Sequence, residues 1–201
     1  MIKKILLPLL FLFISSSILE SKNSEIIRIG DKNARIVIKV FSSLTCPHCA
    51  HFHEKVIEDL KKEYIDQNQV RFEHHSFPLD LAALNAEKIL RCTNSKETSF
   101  QLLSEIYKKQ NLWAVGSDIN VINDSIKKIG KEFGLKESNM NKCLKDDNVQ
   151  EQILNERINA QKEYKITSTP SIFINEKKYE GKHEFNEFKK VLEKVLKKSE
   201  I

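Results

Sequence analysis

A dithiol standing between two unlike patterns constrains this chain more than any other feature. Residues 36–41 form an apolar, β-like run, while Val56, Ile57, Leu60 and Tyr64 recur on a helical period. Between them lies Cys46-Pro47-His48-Cys49, so the two cysteines sit where a strand becomes a helix. Pro47 suits the first helical turn, where its missing N–H would have been unpaired in any case. Cys46 then falls at the N-cap, its sulfur facing free backbone N–H groups and the positive end of the helix dipole. Both favour thiolate over thiol, so the Cys46 pKa is expected to fall. A protonated His48 would add positive charge nearby. Cys49 is one turn further on, within reach of Cys46, and the pair can close a small disulfide. A stabilised thiolate favours the reduced form, which makes that disulfide easily reduced and therefore oxidising. The alternative is a structural zinc site or a buried disulfide. One CxxC supplies only two zinc ligands, no second CxxC or HxxxH follows, and a helix spreads His48, His51 and His53 over several faces. No metal is expected.

The 201 residues can bury a core of their own. Glycine (5) and proline (4) are scarce, 30% of residues are charged, and Lys and Glu interleave, which describes a helix-rich protein and excludes a disordered one. Residues 1–21 stand apart. A basic start with Lys3 and Lys4, an apolar run from Ile5 to Ile14, and Ser15-Ser16-Ser17 make the pattern of a signal peptide. The run is short for a spanning helix. Cleavage after Ser17, cleavage after Ser21 and retention as an uncleaved anchor are all open, and no cysteine near the segment offers a lipid anchor. Removal of residues 1–21 would leave +4 of the formal +5 charge. So mild a balance, with no basic cluster interleaved with aromatics, argues against nucleic-acid binding. The cysteines are Cys46, Cys49, Cys92 and Cys143, an even number that in an exported chain points to two disulfides.

In order, the chain predicts a short strand at 26–29, a turn at 30–33 and a buried central strand at 34–42 that is apolar apart from Lys39. The dithiol helix follows to about Asp66, then a strand at 70–77. A right-handed β-α-β crossover is the natural reading. Helices are predicted over 81–91, 96–110, 120–133, 137–144 and 148–164, then a strand at 171–175, a return strand at Lys178-Tyr179 and a helix over 184–197. The expected class is α/β. Residues 22–78 and 165–201 share one mixed sheet, β-α-β then β-β-α, and residues 79–164 form a helical insertion.

Three features now coincide: Cys46-Pro47-His48-Cys49 after a strand, a helical insertion, and Thr169-Pro170 before a late hairpin and closing helix. Together they resemble the DsbA family of bacterial thiol:disulfide oxidoreductases, as do Ala50-His51-Phe52 after the dithiol and Phe77-Pro78-Leu79-Asp80 at the entry to the insertion. The similarity covers nearly everything after residue 21. It implies a thioredoxin-like fold with an inserted helical domain, and a periplasmic, monomeric enzyme that introduces disulfides into exported proteins. Cys46 and Cys49, with His48 and Pro47 between them, would be catalytic, with no metal or organic cofactor. The partners implied are unfolded exported polypeptides with free cysteines and a membrane oxidase of the DsbB type. The resemblance also implies a cis Thr169–Pro170 bond packed beside Cys46, where Thr169 can pair with an extended substrate and bring its hydroxyl near the sulfurs. The local sequence alone reads Pro170 as a turn residue.

Some alphaproteobacterial-type members are similar in carrying a second disulfide in the insertion, which implies a Cys92–Cys143 bridge. It would close a loop worth roughly 4 kcal/mol in chain entropy. The residues themselves leave buried free thiols or a regulatory pair open. One departure concerns proton transfer. Family members often carry an acid six positions before the first cysteine, and here that position is Val40, beside Lys39. Glu54 and Glu58 are chemical candidates to replace it, against the plainer reading of solvated helix charges. His53 is a candidate for the active-site rim, His74-His75 for a metal, and Trp113 for packing. Two rival functions stand. A disulfide isomerase or reductase usually carries an N-terminal dimerisation region, for which the dozen or so residues before the first core strand leave little room. A chaperone-like peptide-binding module would keep the cysteines as structure only.

Overall fold

The computed structural model describes residues 26–198. The expected signal peptide, residues 1–21, lies outside the described residues. Within them, β1 (Ile27–Ile29), β2 (Ile36–Ser42), β3 (Val70–Ser76), β4 (Ser171–Ile174) and β5 (Lys177–Tyr179) form one mixed sheet in the order β1-β3-β2-β4-β5. β2 and β3 are parallel, as a crossover through a helix requires, and the other neighbours are antiparallel. The mixed α/β sheet expected from the element order is therefore present, in the thioredoxin-like arrangement that the resemblance implied. β2 is central, and its alternate residues Ile36, Ile38 and Val40 are buried. Lys39 points the other way, where its ammonium donates to the Tyr164 hydroxyl at 2.7 Å, so one charge is tolerated in an otherwise apolar strand.

Helix α1 spans residues 47–65. It starts as an α-helix, Pro47–Phe52, and then carries π-helical stretches at His53–Ile57 and Lys61–Ile65 on either side of Glu58–Leu60. A helical apolar period reads α and π turns alike, so these wider turns were not legible in the sequence. Between β3 and β4 come α2 (Leu81–Leu90), α3 (Lys96–Lys108), α4 (Gln110–Trp113), α5 (Ile119–Glu132), α6 (Glu137–Leu144) and α7 (Asp147–Glu163); α8 (Phe185–Lys198) follows β5. Their starts have local causes. Asp80, Ser95, Asp118 and Asp146 each accept a backbone N–H of the first turn of α2, α3, α5 and α7. The predicted helix over 96–110 stops short, and Gln110 instead opens the separate turn α4. Trp113 at its end is buried and donates its indole N–H to the Ile106 carbonyl at 2.8 Å, a packing role as expected. Cys92, just past α2, is disulfide-bonded to Cys143 in α6, with Cα atoms 6.2 Å apart.

Candidate active site

The site grows from the end of β2. Residues 43–45 are held from three directions. The Cys46 N–H donates to the Ser43 carbonyl (3.1 Å), Thr45 Oγ1 donates to Asp80 Oδ2 (2.8 Å), and the Gln110 amide donates to the carbonyls of Leu44 (2.7 Å) and Cys46 (3.1 Å). The turn that presents the dithiol is thus tied to the starts of α2 and α4. Cys46 is the N-cap of α1, with extended backbone (φ −80°, ψ 118°), and Pro47 opens the helix. Pro47 and His48 are exposed, whereas Cys46 is 7% and Cys49 2% exposed. The Thr169–Pro170 bond is cis, and the Cys46 thiol donates to the Thr169 carbonyl at 3.4 Å. Residues 123 positions apart in sequence meet there.

The two sulfurs are driven in opposite directions. Cys46 falls from 9.0 to about 5, chiefly because the Cys49 thiol hydrogen-bonds its thiolate; burial opposes this, and the Thr169 side chain and the backbone N–H groups of Cys49 and His48 add to it. Cys49 is pushed far up, first by burial and then by the neighbouring Cys46 sulfur. Among the described residues the Thr169 hydroxyl is buried with no hydrogen-bond partner, yet it lies near enough to favour a thiolate at both sulfurs. The sequence credits the helix amides and a charged His48 with the shift. In the structure the Cys49 thiol ranks first and the amides follow, with His48 acting through its backbone.

Other candidates are redistributed. His53 is not on the rim: it is buried, its Nε2 lies 2.8 Å from Ser104 Oγ, and burial together with His74 lowers its pKa to about 3. Its ring fills the core because the helical spacing from Cys49 turns it inward. His74 and His75 are buried against carboxylates, His74 against Glu87 at 2.8 Å and His75 against Glu73 at 3.2 Å. Glu54 and Glu58 are both exposed, as solvated helix charges would be. Among the described residues no group of three or more His, Cys, Asp or Glu side chains is arranged to hold a metal ion. Two neighbours of the site were missed. Gln110 carries no motif, and only its two bonds across the fold mark it. His183, from the loop before α8, packs edge-on to Phe52 with centroids 5.2 Å apart; burial lowers its pKa, and so do His51 and His48.

Residues 22–194 match the family model described as thioredoxin. The chain belongs to the thioredoxin family. Within that family its likeness is to DsbA-type proteins, as the motifs implied. The crystal structure of Wolbachia pipientis alpha-DsbA1 superposes with a TM-score of 0.79 at 27% identity, covering 87% of this chain and 92% of that one. A Rickettsia bellii protein named as a protein-disulfide oxidoreductase is 30% identical over 172 residues, 85% of this chain and 64% of its own length. Disulfide bond formation protein D of Bacillus subtilis is 24% identical over 178 residues, 84% of this chain and 76% of its own. The chain spans only 52% to 64% of the lengths of the Rickettsia relatives it matches. In this thioredoxin-family chain the dithiol turn and the cis-proline loop therefore meet on a scaffold shared with DsbA-type proteins, and no helix of the described residues is long and apolar enough to cross a membrane.

Proposed function

We propose that the protein is a dithiol oxidase that passes the Cys46–Cys49 disulfide to cysteines of exported polypeptides. The observation that carries this is the opposed pull on the two sulfurs, one 7% exposed and held near pKa 5, the other 2% exposed and held as a thiol. A substrate thiolate attacks Cys46 Sγ, and the Cys46–Cys49 bond breaks. Cys49 leaves with the electron pair and takes up a proton. A second substrate thiolate then attacks the substrate sulfur of the mixed disulfide and expels Cys46, a good leaving group because its thiolate is stable. Two electrons have passed from the substrate dithiol to the pair. Pro47 and His48 set the turn and supply the His48 N–H. Thr169 lies beside Cys46, where its backbone can receive an extended substrate strand.

The same reading assigns residues 22–78 and 165–201 to the catalytic part and 79–164 to a helical domain beside it. Export to the periplasm, action as a monomer and re-oxidation by a membrane oxidase of the DsbB type complete it. Cysteine sulfur carries the electrons, so the reaction needs no organic cofactor.

The test is oxidative refolding of a reduced, cysteine-containing substrate. Wild type accelerates disulfide formation and Cys46→Ser does not, whereas Cys49→Ala accumulates mixed disulfides on non-reducing gels. Full activity in Cys46→Ser would end the oxidase reading in favour of a binding module. Efficient repair of scrambled substrate without net oxidation would favour an isomerase.

A further inference from the structure

The sheet has two unlike faces. Ile36, Ile38 and Val40 join the core that holds Phe52 and Val56 of α1, whereas Phe41 belongs to a second cluster on the opposite face, with Ala160 of α7 and Phe173 of β4. Beside that second cluster, between β3 and α7, lies a cavity of about 420 Å³ that no step of the exchange reaction uses. Its floor is aromatic and buried. Phe41 faces His75 across the β2–β3 pair with ring centroids 4.7 Å apart, and Tyr164 lies against the same Phe41 ring at 4.8 Å. Phe41 is 2% and His75 8% exposed. Tyr164 is pinned by its hydroxyl, which accepts from Lys39 Nζ at 2.7 Å and donates to Glu176 Oε2 at 3.1 Å. Rings held in place from outside the cavity make a preformed wall.

The polar lining divides into groups already satisfied and groups left open. Glu156 accepts the Ser76 N–H at 3.1 Å, lies 3.5 Å from His75 Nδ1 and pairs with Arg91, so that carboxylate and that guanidinium offset each other. His75 Nε2 is turned to Glu73 at 3.2 Å. Asn155, Asn159 and Glu163 follow one another a turn apart along α7, line the same cavity and are exposed. Among the described residues their side chains have no hydrogen-bond or ion-pair partner. The open groups are therefore two amides and one carboxylate, set beside aromatic rings. An anion would meet Glu163 uncompensated, because the Arg91 charge is engaged by Glu156. A neutral apolar ligand would cover all three polar groups and bond none of them. A cation that carries N–H donors answers each: its charge meets Glu163, its donors meet the amide oxygens, and its stem or its face rests on the rings.

We propose that this cavity is a second binding site, for an alkylguanidinium or alkylammonium cation: the side chain of an arginine or lysine, or a free amine of the same chemistry. The cationic head pairs with Glu163 and donates to the side-chain oxygens of Asn155 and Asn159, while the stem lies over Tyr164 and Phe41. A volume of about 420 Å³ stands toward the lower end for ligand pockets, which suits one extended side chain better than a large cofactor. The lining includes neither Cys46, Cys49 nor Thr169, so the site is separate from the exchange centre. It nevertheless stands on segments that lead there: Phe41 on β2, which runs into the dithiol turn, and Tyr164 before the loop that carries Thr169-Pro170.

The experiment titrates n-butylguanidinium into the isotope-labelled full chain and follows its backbone and side-chain amide signals by NMR, with n-butylammonium and butyrate run alongside. Both cations should shift the Asn155 and Asn159 side-chain signals and the backbone of residues 155–164, saturating on the order of 1 mM, and butyrate should not. Glu163→Gln should weaken both cations about 5-fold. A blocked peptide with a single arginine between alanines separates the two sources. Binding about 10-fold or more tighter than butylguanidinium marks a polypeptide side chain as the occupant, and equal or weaker binding marks a free amine. The site is overturned by the absence of saturable shifts, by equal shifts with butyrate, by unchanged affinity in Glu163→Gln, or by shifts that map to the dithiol turn instead. The site and the oxidase reading fail separately: Cys46→Ser should bind the cations as wild type does, and Glu163→Gln should exchange disulfides as wild type does.

Discussion

Two cysteine pairs share this chain and answer to different physics. Cys46 and Cys49 lie on one helical turn; Cys92 and Cys143 are separated by 51 positions and join the end of α2 to α6. A cross-link between near neighbours removes little chain entropy, so the state of the first pair is decided by what surrounds each sulfur. The second closes a long loop, and its contribution is decided by how much freedom it takes from the unfolded chain. On the proposed reading one pair opens and the other stays shut, although a thiol count treats them alike.

That contrast can be broken in graded steps. The largest effect belongs to Cys46→Ser, expected to remove oxidative refolding activity altogether, while a Cys92→Ala/Cys143→Ala double variant keeps most of it under conditions where it stays folded. Equal losses in a refolding assay would erase the distinction. Next, the double variant should lose about 4 kcal/mol of stability in urea unfolding, and oxidation of the local pair should add far less per bond.

Titration comes third. The alkylation rate of Cys46 should follow a midpoint near 5, far below the ordinary 9.0, with Cys49 silent. The sign of the linked stability follows from this. Between about pH 5 and pH 9 the unfolded reduced chain holds a proton on Cys46 that the folded one lacks, so the reduced form gains stability as pH rises through that window and loses it as pH falls through 5. Cys49 works the other way, its raised pKa withdrawing stability only above the ordinary thiol value. Once bridged, neither sulfur titrates. Denaturation of both forms at several pH values should therefore show the gap moving toward the reduced protein from pH 5 to 9; a parallel pair of curves would mean that the sulfur environment is ordinary.

A smaller shift is expected from Thr169→Ala. It removes the hydroxyl that favours a thiolate at both sulfurs, so the Cys46 midpoint should rise by less than that of a variant lacking Cys49, the leading cause. Gln110→Ala should do least. It frees two carbonyls next to the turn and should cost about 1 kcal/mol with the midpoint nearly unmoved, as read from thermal unfolding and alkylation together.

Much of the frame was legible in the chain itself, because its signals are local. The strand-to-helix change at residues 41–47, Pro47 in the first turn and the apolar periods of the later helices each act within a few residues, so the run of elements and the place of Cys46 could be read directly, while the caps Asp80, Ser95, Asp118 and Asp146 became evident only from the bonds the structure shows. What depends on groups far apart in sequence could not. The ranking of the Cys49 thiol over the helix amides needs the depth at which each sulfur is buried. The hold of Gln110 on the Cys46 turn spans 64 residues. The meeting of Phe41, His75 and Tyr164 around one cavity needs β2, β3 and the end of α7 packed together, and no spacing along a chain encodes that. Local patterns choose the elements because backbone geometry repeats every few residues; proton affinities are set by burial and by neighbours through space, which exist only once the chain has closed on itself.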